Sequence, residues 1–316
     1  MDGTKLWILR DLIRRVHLTK KNLIMPIILT EVDHQISYGY FASIPLNSLI
    51  KEIQEMLNLG ISQIMIFGIP KARDMFGSDA WSPRGIVQQG LRKIRGNFGK
   101  KIQVFTDVCV CQYNVSGQCG TMDQFGSDVD NEASLLTMKR IALSHAEFGT
   151  DVVALSSMMD GQVSVVKNCL VESGFNRVKI MSFAAKSSSS FYSPFRAAAF
   201  SNLHLNRKIN KSKYQISYSN FRESLAEIKL DLDEGADIIM IKPSMGSADL
   251  IVEARQRFNC RLAVQNVSGE YFMMKTASEN GMIDEDAWMV GYAITMKRAG
   301  AELIMSYNLD KLLEYL

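Results

Sequence analysis

Three of the chain's five cysteines fall in one short stretch, DVCVCQYNVSGQCG (residues 107 to 120), as Cys109, Cys111 and Cys119. Cys109 and Cys111 are two apart, so in an extended segment both thiols point to one side, and Cys119 returns over them through a glycine-bearing loop. Three protein thiols around a zinc ion leave a fourth position for water or substrate, the pattern of a catalytic site. A structural site completed by a neighbour such as Asp107 is a second reading, and plain buried thiols are a third. Two lysines form the other group that could do chemistry: Lys186 follows the apolar run KIMSFAA, and Lys242 closes DIIMIK. Burial lowers a lysine's pKa and a nearby ammonium lowers it further, giving a neutral amine able to attack a carbonyl. A Schiff-base enzyme needs that amine. The plainer alternative is that each lysine pairs with a carboxylate or a phosphate.

The elements that must position these groups alternate regularly. Eight β-rich runs, at 23–29, 63–69, 102–108, 151–157, 179–185, 237–243, 262–267 and 302–307, are separated by amphipathic stretches such as LNSLIKEIQEMLNLG. Most runs are nearly continuous in apolar residues, as expected of parallel strands buried on both faces. The turns LG-ISQ, FGT-DVV, EGA-DII and AGA-ELI place glycine where a helix ends before the next strand. The pattern predicts an α/β fold, a (β/α)8 TIM barrel with an N-terminal arm, with a doubly wound open sheet as the alternative. In such a barrel the site lies at the strands' C-terminal ends, which here present Asp107 and the cysteines, Ser156, Lys186, Lys242, the NVSGEY segment and Tyr307.

Composition narrows the function class. Of 316 residues, 47% are hydrophobic and 22% charged, and 36 basic against 33 acidic residues leave a net charge of only +3, so no nucleic-acid partner is expected. No apolar run reaches the ~20 residues of a membrane span. Residues 1–22 form a basic amphipathic segment, LWILRDLIRRVHL at its centre, read as a helical or extended arm that packs on a neighbour, with residues 23–316 as one catalytic barrel. A transit peptide is the other reading of that arm. Cytoplasm is therefore the expected compartment, with an organellar address left open. Cys169 and Cys260, isolated among apolar residues, are read as buried hydrophobes, and no disulfide framework is expected. The polar, basic stretch AAKSSSSFYSPFRAAAFSNLHLNRKINKSKYQ at the end of the fifth run has the character of a lid or binding loop.

The ordered series IFGIPKARDMFGSDAW, DVCVCQYNVSGQCG, VDNEASL, SMMDG, AAKSSSSFYSPFR, KYQ, EGADIIMIKPSMG, NVSGEY and AELIMSY resembles the porphobilinogen synthase (5-aminolevulinate dehydratase) family over nearly the whole chain. The resemblance implies a (β/α)8 barrel that condenses two 5-aminolevulinate molecules into porphobilinogen with loss of two waters. It implies that Lys242 forms the Schiff base with the first substrate and that Lys186 engages the second. It further implies that Ser268 and Tyr307 hold the first substrate's carboxylate, and that Arg196 and Gln215 clamp the second. Asp107, Ser156, Tyr192 and Lys211 complete the expected substrate-binding set. Cys109, Cys111 and Cys119 match the zinc ligands of the zinc-dependent branch, and Glu227 falls where many bacterial members bind an allosteric magnesium. A homo-octamer whose arms embrace neighbours is the implied assembly.

The chain departs from the family pattern at several points. Lys211 stands where the family has an arginine, keeping the charge but not the planar fork that matches a carboxylate, and Arg207 is a candidate substitute. Ser157 and Gln162 flank MMDG in place of an aspartate and an arginine. Ser116 and Gln118 replace histidines of the cysteine loop, and Gln265 replaces a tyrosine. A weakened barrel retained for zinc binding or assembly is the competing function, and a class I aldolase is a second enzymatic one.

Overall fold

The computed structural model describes residues 3–199, 210–307 and 309–316. Eight parallel strands close into a barrel. They are β1 (Leu23–Thr30), β3 (Gln63–Ile69), β4 (Gln103–Val108), β5 (Val152–Leu155), β6 (Lys179–Lys186), β7 (Ile238–Lys242), β8 (Arg261–Gln265) and β9 (Leu303–Met305), with the short β2 (Ile44–Pro45) between the first two. Each strand pairs with the next, and β9 returns to β1 through Leu23↔Ile304 and Ile24↔Met305. That last pairing rules out the open sheet. Because β9 is short, it leaves the upper half of β1 uncovered, and β2 pairs there through Leu29↔Ile44.

Burial on both strand faces explains the near-continuous apolar runs. In β3, Met65 and Phe67 point into the barrel with Phe105, Met181, Phe183 and Met240, while Ile64 and Ile66 point outward against the helices. The helices between strands are α2 (Leu49–Asn58), α3 (Ile86–Phe98), α4 (Asn131–Glu147), α5 (Gln162–Glu172), α6 (Ser193–Ala199), α7 (Phe221–Asp233), α8 (Ala248–Arg257), α9 (Ser268–Glu279) and α10 (Glu285–Ala299). The four glycines expected at helix ends, Gly60, Gly149, Gly235 and Gly300, have φ of 85°, 93°, 104° and 123°. A side chain there would cost about 1 kcal/mol or more, so these positions fix how each helix turns back to its strand.

One irregularity matters for the site. The pairing of β6 with β7 shifts between Ser182↔Ile239 and Ala185↔Ile241, so β6 carries one residue more than β7 over the same length. Met181 and Phe183 face the barrel interior, whereas Ala184 and Ala185 both pack outside it. The extra residue reverses the alternation, and Lys186 comes into register with Lys242.

The arm forms α1 (Gly3–Arg15), which lies on this chain's own barrel rather than extending away from it. Leu9 and Ile13 are buried in the outer core, and Lys5 bonds Asp284 at the start of α10 at 2.6 Å, while Trp7 remains 69% exposed. A helix can do this because its buried residues recur at one-turn spacing. Cys169 is buried as expected. Cys260 is only half-buried, since it sits in the turn before β8 rather than in an element. Among the described residues no helix is long and apolar enough to cross a membrane.

Candidate active site

A cavity opens at the C-terminal ends of the strands. Lys186 and Lys242, the last residues of β6 and β7, stand side by side on its floor. Lys242 Nζ donates to Gln265 Oε1 at 3.0 Å and lies 4.5 Å from the centre of the Phe183 ring and 5.5 Å from that of Tyr192. Burial against these rings, reinforced by the Lys186 ammonium, pulls the Lys242 amine down to about 7. Lys186 Nζ is held by the Ser156 carbonyl at 2.6 Å. Asp107 lies beside the lysines, and burial raises its carboxyl despite hydrogen bonds from Ser156 and Gln112 that favour the charged form. Gln112 Nε2 reaches Asp107 Oδ2 at 2.9 Å.

The cysteines occupy the adjoining wall. Asn114 builds their loop: its Oδ1 accepts from the Gly117 amide at 2.7 Å and its Nδ2 donates to the Gln118 carbonyl at 3.0 Å, with Gly117 at φ 68°. That turn brings Cys119 back over Cys109 and Cys111. All three are buried, their sulfurs lie within 4.8 Å of one another, and Cys109 Sγ is 3.4 Å from Cys111 Sγ. Three sulfurs of one tetrahedral zinc stand about 3.8 Å apart, so this donor set fits the ion without rearrangement of the backbone. Among the described residues it is the one group of three or more His, Cys, Asp or Glu side chains whose ligand atoms converge closely enough to share a metal ion. Hydrogen bonds from the Cys109 and Cys111 thiols, helped by Lys211, hold Cys119 well below the usual thiol range, while burial pushes Cys109 well above it. Lys211 Nζ is 3.1 Å from Cys119 Sγ. Burial alone would lower its pKa, but the surrounding cysteine sulfurs outweigh burial and keep it raised.

The cavity also gathers Arg196, Gln215, Ser268, Tyr192 and Tyr307. Ser268, the first residue of α9, accepts from the Phe195 amide at 3.0 Å and donates to the Phe191 carbonyl at 3.3 Å. Gly269 follows because a Cβ there would stand 2.6 Å from the Phe191 backbone. Tyr307 stacks between Phe41 and Tyr271 at 5.1 and 5.7 Å. Arg196 lies 5.5 Å above the Tyr192 ring. Among the described residues Gln215 Oε1 is buried without a hydrogen-bond partner, which leaves an acceptor available to a ligand.

Glu227 stands apart from this group. It borders a separate surface depression with Asp160 and Glu223, and burial among neighbouring carboxylates raises it to about 7. Arg207 lies outside the described residues, as does part of the expected lid. Phe67, Phe195, Val267 and Gln112 line the cavity without having been singled out from sequence. Apolar wall residues carry no motif, and Gln112 is concealed by the cysteine beside it. Tyr214 was likewise unmarked as a support of the thiols: its hydroxyl accepts from the Cys119 amide at 3.1 Å and donates to Gln118 Oε1 at 2.7 Å. Gln118 and the Cys119 amide are thus both tied to Tyr214.

The chain is 40% identical to delta-aminolevulinic acid dehydratases of Archaeoglobus fulgidus and Staphylococcus epidermidis, each over 98% of this chain and 95% of theirs. Its fold superposes with a TM-score of 0.92 on the crystal structure of delta-aminolevulinic acid dehydratase (porphobilinogen synthase) from Toxoplasma gondii ME49 in complex with the reaction product porphobilinogen, at 27% identity over 97% of this chain and 88% of that one. A dihydropteroate synthase from Coxiella burnetii, at 13% identity and a TM-score of 0.51 over 93% of this chain and 90% of that one, shares the barrel alone. With the family model for delta-aminolevulinic acid dehydratase matching residues 4–315, this chain belongs to that family.

Proposed function

We propose that this protein is a zinc-dependent porphobilinogen synthase, a lyase that condenses two molecules of 5-aminolevulinate into porphobilinogen and releases two waters. The observation that carries the reading is the pairing of Lys186 with Lys242 on the floor of a buried cavity whose wall holds three converging thiols.

The amine of Lys242, neutral in part near pH 7, attacks the ketone of the first 5-aminolevulinate. Loss of water leaves a carbon–nitrogen double bond to Nζ. Phe183 and Tyr192 keep water from the amine, and Gln265 Oε1 aims its hydrogen and hence its lone pair. Ser268 and Tyr307 receive the first substrate's carboxylate. Lys186 engages the second substrate, and Arg196, Lys211 and Gln215 receive its carboxylate, with the unpartnered Gln215 Oε1 open to a substrate N–H. Asp107, next to both lysines, is the residue placed to hold a proton released as the new carbon–carbon and carbon–nitrogen bonds form. Cys109, Cys111 and Cys119 would hold a zinc ion, which would supply a Lewis acid to polarise a substrate carbonyl. The plainest test is borohydride reduction with 5-aminolevulinate. A covalent adduct on Lys242, seen by peptide mass, is expected, and its absence with folded, zinc-loaded protein would sink the mechanism.

Assembly into a homo-octamer is part of the same proposal. The outward Trp7, Ile8 and Leu12 of α1 support it, because a large apolar strip on a surface helix is suited to a second copy. Glu227 and the carboxylates around it are proposed as the place of an allosteric magnesium. The cytoplasm remains the proposed compartment.

A further inference from the structure

We infer that Glu270 is a positioning residue that fixes the distance between the Lys242 amine and Ser268, and so selects the chain length of the keto acid that first enters the cavity. The inference rests on the function proposed above and deepens it, by naming what measures that substrate between its two points of attachment.

Pairing of β7 with β8 ends at Ile241↔Val264, one residue before Lys242, so the sheet alone does not set where the start of α9 stands relative to the amine. Glu270 continues the connection past the strand ends. It lies in the first turn of α9 and is fully buried, as is Ser244. Its Oε1 accepts from the Met245 amide at 2.7 Å, in the segment that follows Lys242, and its Oε2 accepts from the Val267 amide at 2.7 Å, directly before Ser268. The Ser244 hydroxyl, 2.8 Å from Tyr292 Oη, adds a longer bond of 3.3 Å to Oε2, with the Ser244 amide as a further donor. One side chain thus ties two backbone segments, and its partners are all donors, so only a carboxylate accepts at both ends. Charge-assisted bonds of this kind hold position more firmly than neutral ones. Tyr307, the other expected carboxylate receiver, stacks on Tyr271, the next residue of α9, so it is set by the same helix. The Lys242 amine also reaches Gln265, but that residue belongs to β8, short of α9. A keto acid meets the amine with its carbonyl and Ser268 with its carboxylate. The carbons between must therefore match a distance that Glu270 holds constant.

The test captures keto acids on full-length, zinc-supplied protein at about pH 8, above the value of about 7 to which burial raises the Glu270 carboxyl. Levulinate (4-oxopentanoate) and 5-oxohexanoate, one methylene longer, each form a carbon–nitrogen double bond to Nζ with loss of water. Borohydride then delivers hydride to that carbon, and the adduct on Lys242 is quantified by peptide mass. We expect wild-type protein to capture levulinate at least about tenfold faster than the longer acid at low concentration. In Glu270→Gln, whose amide accepts at one end only, the ratio should fall to within about twofold of one. Glu270→Asp, which keeps two acceptors on a chain one methylene shorter, should lie between. Ser244→Ala leaves both amide ties in place and should keep the wild-type ratio. General loosening of the fold would slow capture of both acids alike and leave the ratio where it was. A wild-type ratio near one overturns the inference while the proposed function stands. The same holds for a wild-type ratio in Glu270→Gln or, should that variant not fold, in Glu270→Asp, and for a Ser244→Ala ratio as low as that of Glu270→Gln. Absence of any levulinate adduct on Lys242 of the wild type overturns the proposed function, and this inference with it.

Discussion

The two walls of the cavity are made in different ways. On the β7 to β9 side, Lys242, Gln265, Ser268 and Tyr307 sit at or just beyond strand ends, joined to the barrel by almost no loop. On the β4 to β6 side, the cysteines, Lys211 and Gln215 sit in long connections and are held by side-chain bonds from Asn114, Tyr214 and Gln118. One wall is fixed by the backbone of the barrel and the other by a hydrogen-bonded loop network. Of the departures that the family resemblance implies, Ser116, Gln118 and Lys211 fall on the second wall and Gln265 on the first. A wall built from exchangeable side-chain bonds can change composition and keep its shape, whereas a strand end has one direction in which to point.

Breaking each wall should therefore have different effects. The largest is expected at the rigid wall: Lys242→Ala should reduce pyrrole formation by at least about 10⁴-fold and abolish the borohydride adduct on this strand, since Lys186, the other amine on the floor, is held by the Ser156 carbonyl. Next comes the loop wall. Chelation, or Cys119→Ala, should cost about 10² to 10³-fold in turnover, and zinc should rescue the chelated wild type but not the variant. If Cys119→Ala retained wild-type rate and zinc stoichiometry, the two walls would not be dividing the work as described.

A pH profile sharpens the comparison further. With Lys242 pulled down to about 7, the rate of adduct formation should rise with pH through about 7 and fall about tenfold per unit well below it. A flat profile between pH 5 and 9 would show that this amine is not the nucleophile. The same depression sets a sign for stability. Between about 7 and the unfolded lysine value, the folded state binds fewer protons than the unfolded chain, so this group makes stability rise with pH over that window. Lys242→Met, which has no proton to lose, should melt higher than wild type at pH 7 while being inactive. The smallest effect is at the junction of the two walls: Gly269→Ala, whose new methyl meets the Phe191 backbone, should cost about 1 to 3 kcal/mol in a denaturant titration and raise KM more than it lowers kcat.

This division also decides what could be read from sequence. The eight strands, their order and the helix-ending glycines follow from apolar runs and turn residues, because burial on both faces and positive φ leave marks in residue type. Strand-end groups such as Lys242 and Tyr307 were legible for the same reason. The contacts of Lys211 with Cys119 and of Gln112 with Asp107 were not, since they join side chains of separate loops, and nothing in local spacing specifies which loop folds over which. Strand β2 was missed because two residues at one edge carry no periodicity.

The additional residue in β6 has a consequence for what counts as a functional change. From Met181 and Phe183 onward, strict alternation would send position 186 to the outside of the barrel, among the helices. The amine reaches the floor by parity as much as by chemistry. Were β6 to pair regularly through the alanines at 184 and 185, every named lysine and cysteine would remain in the sequence and every strand in the sheet, yet the second lysine would leave the cavity. For this barrel, a strand's residue count belongs to the specification of the site alongside the identity of its side chains.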